Sequence, residues 1–122
     1  MNPISPLAAA ESLTEFWSTR VIAELDDQYI KVAHLKGSLL WHSHEAEDEL
    51  FFILRGELRI EMEKGEITLK AGDMTVIPKG VRHNPVADEE VLVMLIERKS
   101  TAHTGAEMDE RTRSIAEQLR PL

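Results

Sequence analysis

Between residues 20 and 98 the chain consists of short apolar runs separated by glycine or by acidic pairs, a texture that predicts strands joined by tight turns. The runs RVIAEL, QYIKVAHL, LLWHSH, ELFFILR, ELRIEME, EITLK, MTVIP and VLVMLIER read as strands, with turns at Asp26-Asp27, Gly37-Ser38, Arg55-Gly56, Lys64-Gly65, Ala71-Gly72 and Lys79-Gly80. In ELRIEMEKGEITLK, Leu58, Ile60 and Met62 alternate with Glu57, Arg59, Glu61 and Glu63. One face of that segment is therefore buried and the other wet, and a hairpin follows through Lys64-Gly65. Two runs break the alternation: LFFIL at 50–54 and VLVMLI at 91–96 are apolar on both faces. A strand in a small antiparallel barrel needs only its inward face to be apolar, so something must cover the other. The opening segment can do so, or a second copy of the chain; the second copy, and hence a homodimer, is the expectation.

The flanks read differently. Ser5 followed by Pro6 resembles an N-cap with proline at the first helical position, and Leu13, Phe16 and Trp17 follow at helical spacing. After Lys99 the chain turns polar, and EMDERTRSIAEQLR places Met108, Ile115 and Leu119 on a narrow helical stripe. The expected organisation is a helical segment over 1–19, an all-β barrel over 20–99 and a tail over 100–122 with a short helix. A chain of 122 residues is enough for one core and not for two, so these form one domain.

Charge and composition then exclude several classes. Fourteen basic against 22 acidic residues give a net charge of −8, which repels phosphate backbones and anionic lipid surfaces, so neither nucleic acid nor membrane is an expected partner. With no cysteine there is no disulfide and no thiolate ligand, which leaves His, Asp and Glu for any metal chemistry. The opening residues have no basic leader and no long apolar stretch, and VLVMLI is far too short to span a bilayer. A soluble cytoplasmic protein is expected.

The stretch WHSHEAEDEL, residues 41–50, raises the question of chemistry. Side chains two apart on a strand share a face, so His42 and His44 project together with Leu40, while Trp41 and Ser43 face away. A histidine pair alone is a weak signal. Glu49 can belong to the exposed acidic loop with Glu45, Glu47 and Asp48. If instead a new strand starts there, Glu49 faces inward with Phe51 and Ile53, where a carboxylate is costly unless it is paired or binds a cation. His83 ends GDMTVIPKGVRH, whose turns at Gly72 and Gly80 can swing it back toward the barrel; on its own that segment is a loop.

Taken together, GSLLWHSHEAEDELFFILRG resembles the first motif of the cupin superfamily, with Gly37, His42, His44, Glu49 and Gly56 at its marked positions. GDMTVIPKGVRH resembles the second, with Gly72, Pro78, Gly80 and His83. Fifteen residues separate Gly56 from Gly72, as in small single-domain members. Two positions depart from the pattern: four residues rather than five separate Gly37 from His42, and Ala87 stands where an asparagine often ends the second motif. The resemblance implies a double-stranded β-helix, or jelly-roll barrel, of roughly six to eight strands. It also implies one divalent metal held by His42, His44, Glu49 and His83. Three neutral imidazoles and a carboxylate leave one or two coordination positions open and suit Fe, Mn, Ni or Zn.

Other residues carry less. Leu40, Phe51, Ile53, Met74 and Val76 are expected to line a ligand pocket around the metal, or simply to be core. His34 is expected to be a core or rim histidine, His103 an inert residue of the tail, and Arg82 a surface residue. The functional expectation is a metal-binding cupin that takes a small metabolite at an open metal position. The alternatives are an enzyme on the same site, either a non-haem dioxygenase or a sugar or sugar-phosphate isomerase, and, more remotely, a ligand-sensing module.

Overall fold

A computed structural model describes residues Met1–Leu122. It contains a short helix α1 (Pro6–Glu11), seven strands, β1 (Arg20–Leu25), β2 (Gln28–Ser38), β3 (Glu49–Arg55), β4 (Glu57–Met62), β5 (Gly65–Lys70), β6 (Met74–Ile77) and β7 (His83–Arg98), and a last helical turn α2 (Ile115–Gln118). Every strand pairing is antiparallel. The main path runs β1-β2-β7-β3-β6, while β4 pairs with β5 and with the beginning of β7.

The length of β7 makes the barrel. Its second half lies between β2 and β3, and its first four residues, His83–Val86, pair with β4. One strand thus serves both sheets of the jelly roll, and the switch falls where the β2 register shifts between Leu35 and Gly37. Asp88, Glu89 and Glu90 are exposed at this corner. The apolar pattern predicts a strand that starts only at Val91, because Pro85 and the acidic triplet interrupt the run. Pro85 is accommodated because its carbonyl accepts from Leu39 N–H at 3.1 Å and it faces Ile60 across the ladder.

The interior is filled by alternate residues of each strand: Ala33 and Leu35, Phe51 and Ile53, Leu58 and Ile60, Val91, Val93 and Leu95. Ile53, Leu58, Ile60 and Val93 are fully buried, and each contributes about 1.5–3 kcal/mol relative to an exposed position. A second, smaller cluster lies on the outer face, where Ala9, Ala10 and Leu13 cover Val32 and Leu92, with Leu54 and Met94 beside them. The opening segment therefore covers one part of the doubly apolar strands. Leu50, Phe52 and Ile96, next to exposed Met74 and Val76, remain only half-buried.

Three expectations need correction. LLWHSH is not a strand: residues 39–44 form a loop whose one β-bridge joins His42 to His83, with further backbone bonds at Leu39 and His44. The opening helix forms with Ser5 capping the Ala8 N–H, yet it ends at Glu11, and Leu13, Phe16 and Trp17 lie beyond it. Trp17 is buried with φ +65°, its indole N–H donating to the Lys36 carbonyl at 2.8 Å, whereas Phe16 stays exposed beside His34. Lastly, α2 docks by its polar residue. Gln118 is 2 % exposed, while Met108, Ile115 and Leu119 are exposed, because a buried lysine inside the barrel needs the Gln118 carbonyl more than the surface needs an apolar stripe.

Candidate metal centre

His83 opens β7 and Glu49 opens β3, while His42 and His44 come from the loop between β2 and β3. That loop is fixed by backbone bonds at both histidines. His42 and His83 exchange N–H to carbonyl bonds of 3.0 and 2.8 Å, and the Gly80 N–H donates to the His44 carbonyl at 2.9 Å. Asp48 accepts from the Lys79 N–H at 2.8 Å, which starts β3 in the phase that points Glu49 inward with Phe51 and Ile53. All four side chains are buried, and their ligand atoms lie within 4.8 Å of one another. Two ligands on opposite sides of a cation at ~2.1 Å would be ~4.2 Å apart, so the cluster is close to coordinating size.

The hydrogen bonds leave the right atoms free. The Nδ1–H of His42 donates to the Leu40 carbonyl at 2.8 Å and that of His83 to the Val81 carbonyl at 3.0 Å. Both tautomers are thereby set, with each Nε2 lone pair turned inward. Both ring nitrogens of His44, Nε2 of His83 and Oε1 of Glu49 are buried without a hydrogen-bond partner. Glu49 lies 3.5 Å from His44 Nε2 and 3.4 Å from His83 Nε2. Buried polar atoms normally find partners, and one ring nitrogen of His44, Nε2 of His83 and Oε1 of Glu49, each unpartnered and close to the others, make the arrangement a cation would satisfy.

Protonation agrees. Burial pushes His42 down to about 4, only partly opposed by its bond to Leu40. Burial opposes ionisation of Glu49 as well, but the His44 and His83 imidazoles beside it hold it well below the usual carboxylate range. A neutral imidazole and an ionised carboxylate are the forms that bind metal.

A cavity of about 30 Å³ adjoins His42 and Glu49, walled by Trp17, Leu35, Leu39, Phe51, Val93 and Leu95. Of the expected pocket residues only Phe51 lines it. Ile53 is core, and Leu40 packs half-buried against the core. Met74 and Val76 are 55 % and 46 % exposed on the outer surface. The reason is register. Glu49 faces Ile77 and Phe51 faces Thr75 across the ladder, and residues directly opposite share a face, so Thr75 and Ile77 point inward and Met74 and Val76 outward.

The polar part of the cavity has no counterpart among the expected pocket residues. Glu97, directly across from Glu49, lines it together with Thr19 and His103. Burial and the charge of Glu49 push the Glu97 carboxyl well above its usual range, against the pull of Lys31. Lys31, fully buried, donates to Glu97 Oε1 at 2.7 Å and to Gln118 Oε1 at 2.6 Å. Both charged residues were detectable: Glu97 continues the inward set Val91, Val93, Leu95, and Lys31 is in phase with Ala33 and Leu35. His103 gave no such signal, since nothing in a polar tail says that it folds back. Burial and then Lys31 push it down to about 4. His34 is half-buried on the outer face, its Nδ1–H 3.3 Å from the Leu13 carbonyl. Arg82 is exposed, and Arg55 and Arg59 pair with surface acids.

Residues 31–97 match the family described as Cupin domain. The uncharacterized protein YdbB of Bacillus subtilis is 35% identical over 94 residues, covering 76% of this chain and 83% of that protein. A cupin-2 domain containing protein from Shewanella frigidimarina superposes with a TM-score of 0.77 at 42% identity, over 79% of this chain and 94% of the other. Protein NMB1881 from Neisseria meningitidis gives 0.73 at 25% identity, over 80% and 100%. The motifs, the two-sheet roll and these likenesses agree: the chain belongs to the cupin family.

Proposed function

We propose that His42, His44, Glu49 and His83 bind one divalent metal ion, Fe, Mn, Ni or Zn, and that a small metabolite occupies the adjoining cavity at an open metal position. The observation that carries this reading is the set of buried, unpartnered ring nitrogens and carboxylate oxygen facing one another. The donor set suits all four metals. Bound there, the ion would supply Lewis acidity or, if iron, redox chemistry. No lysine or arginine lines the cavity, which weighs against a phosphorylated sugar and, within the enzymatic alternatives, favours a dioxygenase or an isomerase of uncharged substrates. Elemental analysis of the untagged protein is expected to give about one equivalent of metal, set by the single four-residue donor cluster, and His42→Ala and Glu49→Ala variants with intact circular dichroism are expected to lose it. A folded wild-type protein that takes up no metal overturns the proposal.

A second copy of the chain is the proposed cover for the rest of the outer face. Support comes from the half-buried Leu50, Phe52 and Ile96, from exposed Met74 and Val76, and from the position of β6 at the sheet edge with only β3 beside it. Sedimentation should give twice the chain mass for the wild type and the single-chain mass for Phe52→Asp. A monomeric wild type at micromolar concentration removes the dimer.

A further inference from the structure

The cavity carries a second polar group beside the candidate metal cluster, with Glu97 directly across the ladder from Glu49. It is built from Thr19 just before β1, Glu97 near the end of β7 and His103 in the tail. Thr19 Oγ1 and Glu97 Oε2 are buried and make no hydrogen bond within the protein. Lys31 satisfies only the other oxygen of Glu97, and its remaining contact is with Gln118. Such orphans are uncommon in a folded interior and mark places where an outside group completes the bonding.

His103 supplies a donor to match these two acceptors. The Arg113 backbone N–H donates to its Nδ1 at 2.9 Å, so the ring is neutral with its proton on Nε2. That N–H has no bonded acceptor in the protein. The ring is held in place by a tail strapped across the barrel mouth. Gly105, at φ +60°, lies so close to the Ser43 carbonyl that any Cβ would collide with it. Arg111 donates to the Ser38 and Leu39 carbonyls at 2.6 and 2.7 Å. The residues that match the cupin family end at 97, so His103 and its supports lie outside the shared motifs.

We infer that Thr19, Glu97 and His103 form the recognition end of the ligand site, and that it takes a small uncharged oxygen compound such as a short hydroxycarbonyl or diol. One ligand oxygen accepts from His103 Nε2–H, and a hydroxyl bonds to Glu97 Oε2 or Thr19 Oγ1. An anionic group placed at this end would meet the Glu97 carboxyl, and no lysine or arginine lines the cavity to offset it. The roughly 30 Å³ of space is about one water molecule's share of the liquid, so a ligand of a few heavy atoms enters only as the tail shifts outward from the apolar walls. The inference rests on the metal-binding reading only for the other end of the ligand.

The test uses full-length ¹⁵N-labelled protein, metal-free and metal-loaded, titrated with hydroxyacetone and, separately, with lactate, which has a similar skeleton but is anionic. Hydroxyacetone is expected to shift the His103 Nε2 resonance saturably in both preparations. His103→Asn keeps an acceptor for the Arg113 N–H and removes the Nε2–H; it is expected to weaken hydroxyacetone binding by about tenfold, the scale of one lost hydrogen bond. Thr19→Val provides a second, nearly isosteric variant with an effect in the same direction. Unchanged amide resonances of Gly105 and Gln118 show that the tail is still docked, and unchanged metal content separates this result from loss of the metal site. No saturable shift at His103, equal affinity in His103→Asn, or lactate binding as tightly as hydroxyacetone overturns the inference. If the wild type binds no metal yet His103 still responds, the metal reading fails and this one stands.

Discussion

Replacing Lys31 with methionine tests the polar interior most directly. Lys31 is fully buried, and its ammonium bonds Glu97 Oε1 at 2.7 Å and Gln118 Oε1 at 2.6 Å. The ion pair has side-chain exposures of 1% and 4%, so solvent screens it little. Methionine fills a similar volume but leaves Glu97 buried beside Glu49 with no counter-charge, and leaves the Gln118 carbonyl without a donor. Removing one member of a buried pair costs about 3–5 kcal/mol, a large share of the ~5–15 kcal/mol that holds a domain together. The double variant Lys31→Met/Glu97→Leu removes both charges and the repulsion with Glu49, leaving only the unpaired Gln118 carbonyl at about 1–3 kcal/mol. The single variant should therefore be less stable than the double one. Urea unfolding of the metal-free protein, followed by the fluorescence of Trp17 and Trp41, measures both. With a slope of ~1–3 kcal/mol/M for a small domain, the Lys31→Met midpoint should fall by roughly 2 M. A loss below about 1 kcal/mol, or a double variant whose loss equals the sum of the two single ones, would show that the pair is not coupled as the geometry requires.

Two further outcomes are expected. Because burial lowers His103 to about 4, the unfolded chain binds a proton there that the folded one refuses between about pH 6.5 and 4; this contribution to stability is complete above about 6.5 and is lost as pH falls through that window, by about 3 kcal/mol in all. His103→Asn should flatten the pH dependence of the metal-free urea midpoint by that amount, and an unchanged slope would place the imidazole in solvent. Gly105→Ala puts a Cβ against the Ser43 carbonyl at a φ of +60°, so it should release the tail to limited proteolysis after residue 99 while the barrel remains protected; a tail as resistant as the wild type's would mean that it does not press on that loop.

The sequence carried most of the barrel. Alternation identified the faces of β4 and β5, and the glycine and acidic breaks located the turns, because a strand half-exposed to water records its geometry as a period of two. The four candidate ligands were also legible, since His42, His44, Glu49 and His83 stand at fixed intervals between marked turn residues, and the fold brings all four within 4.8 Å. The rest depended on register and on contacts between distant segments. Whether Met74 and Val76 or Thr75 and Ile77 face inward is undecided by apolar content alone, and pairing with Glu49 and Phe51 settled it. β7 runs through a proline and three acids because its neighbours accept its backbone, a fact that no local pattern contains. Above all, only the tertiary structure returned the tail across the barrel mouth, placing Gln118 on Lys31 and His103 in the cavity. Polar residues in such a segment follow no periodicity, and the buried charge that draws them in lies 87 positions away along the chain.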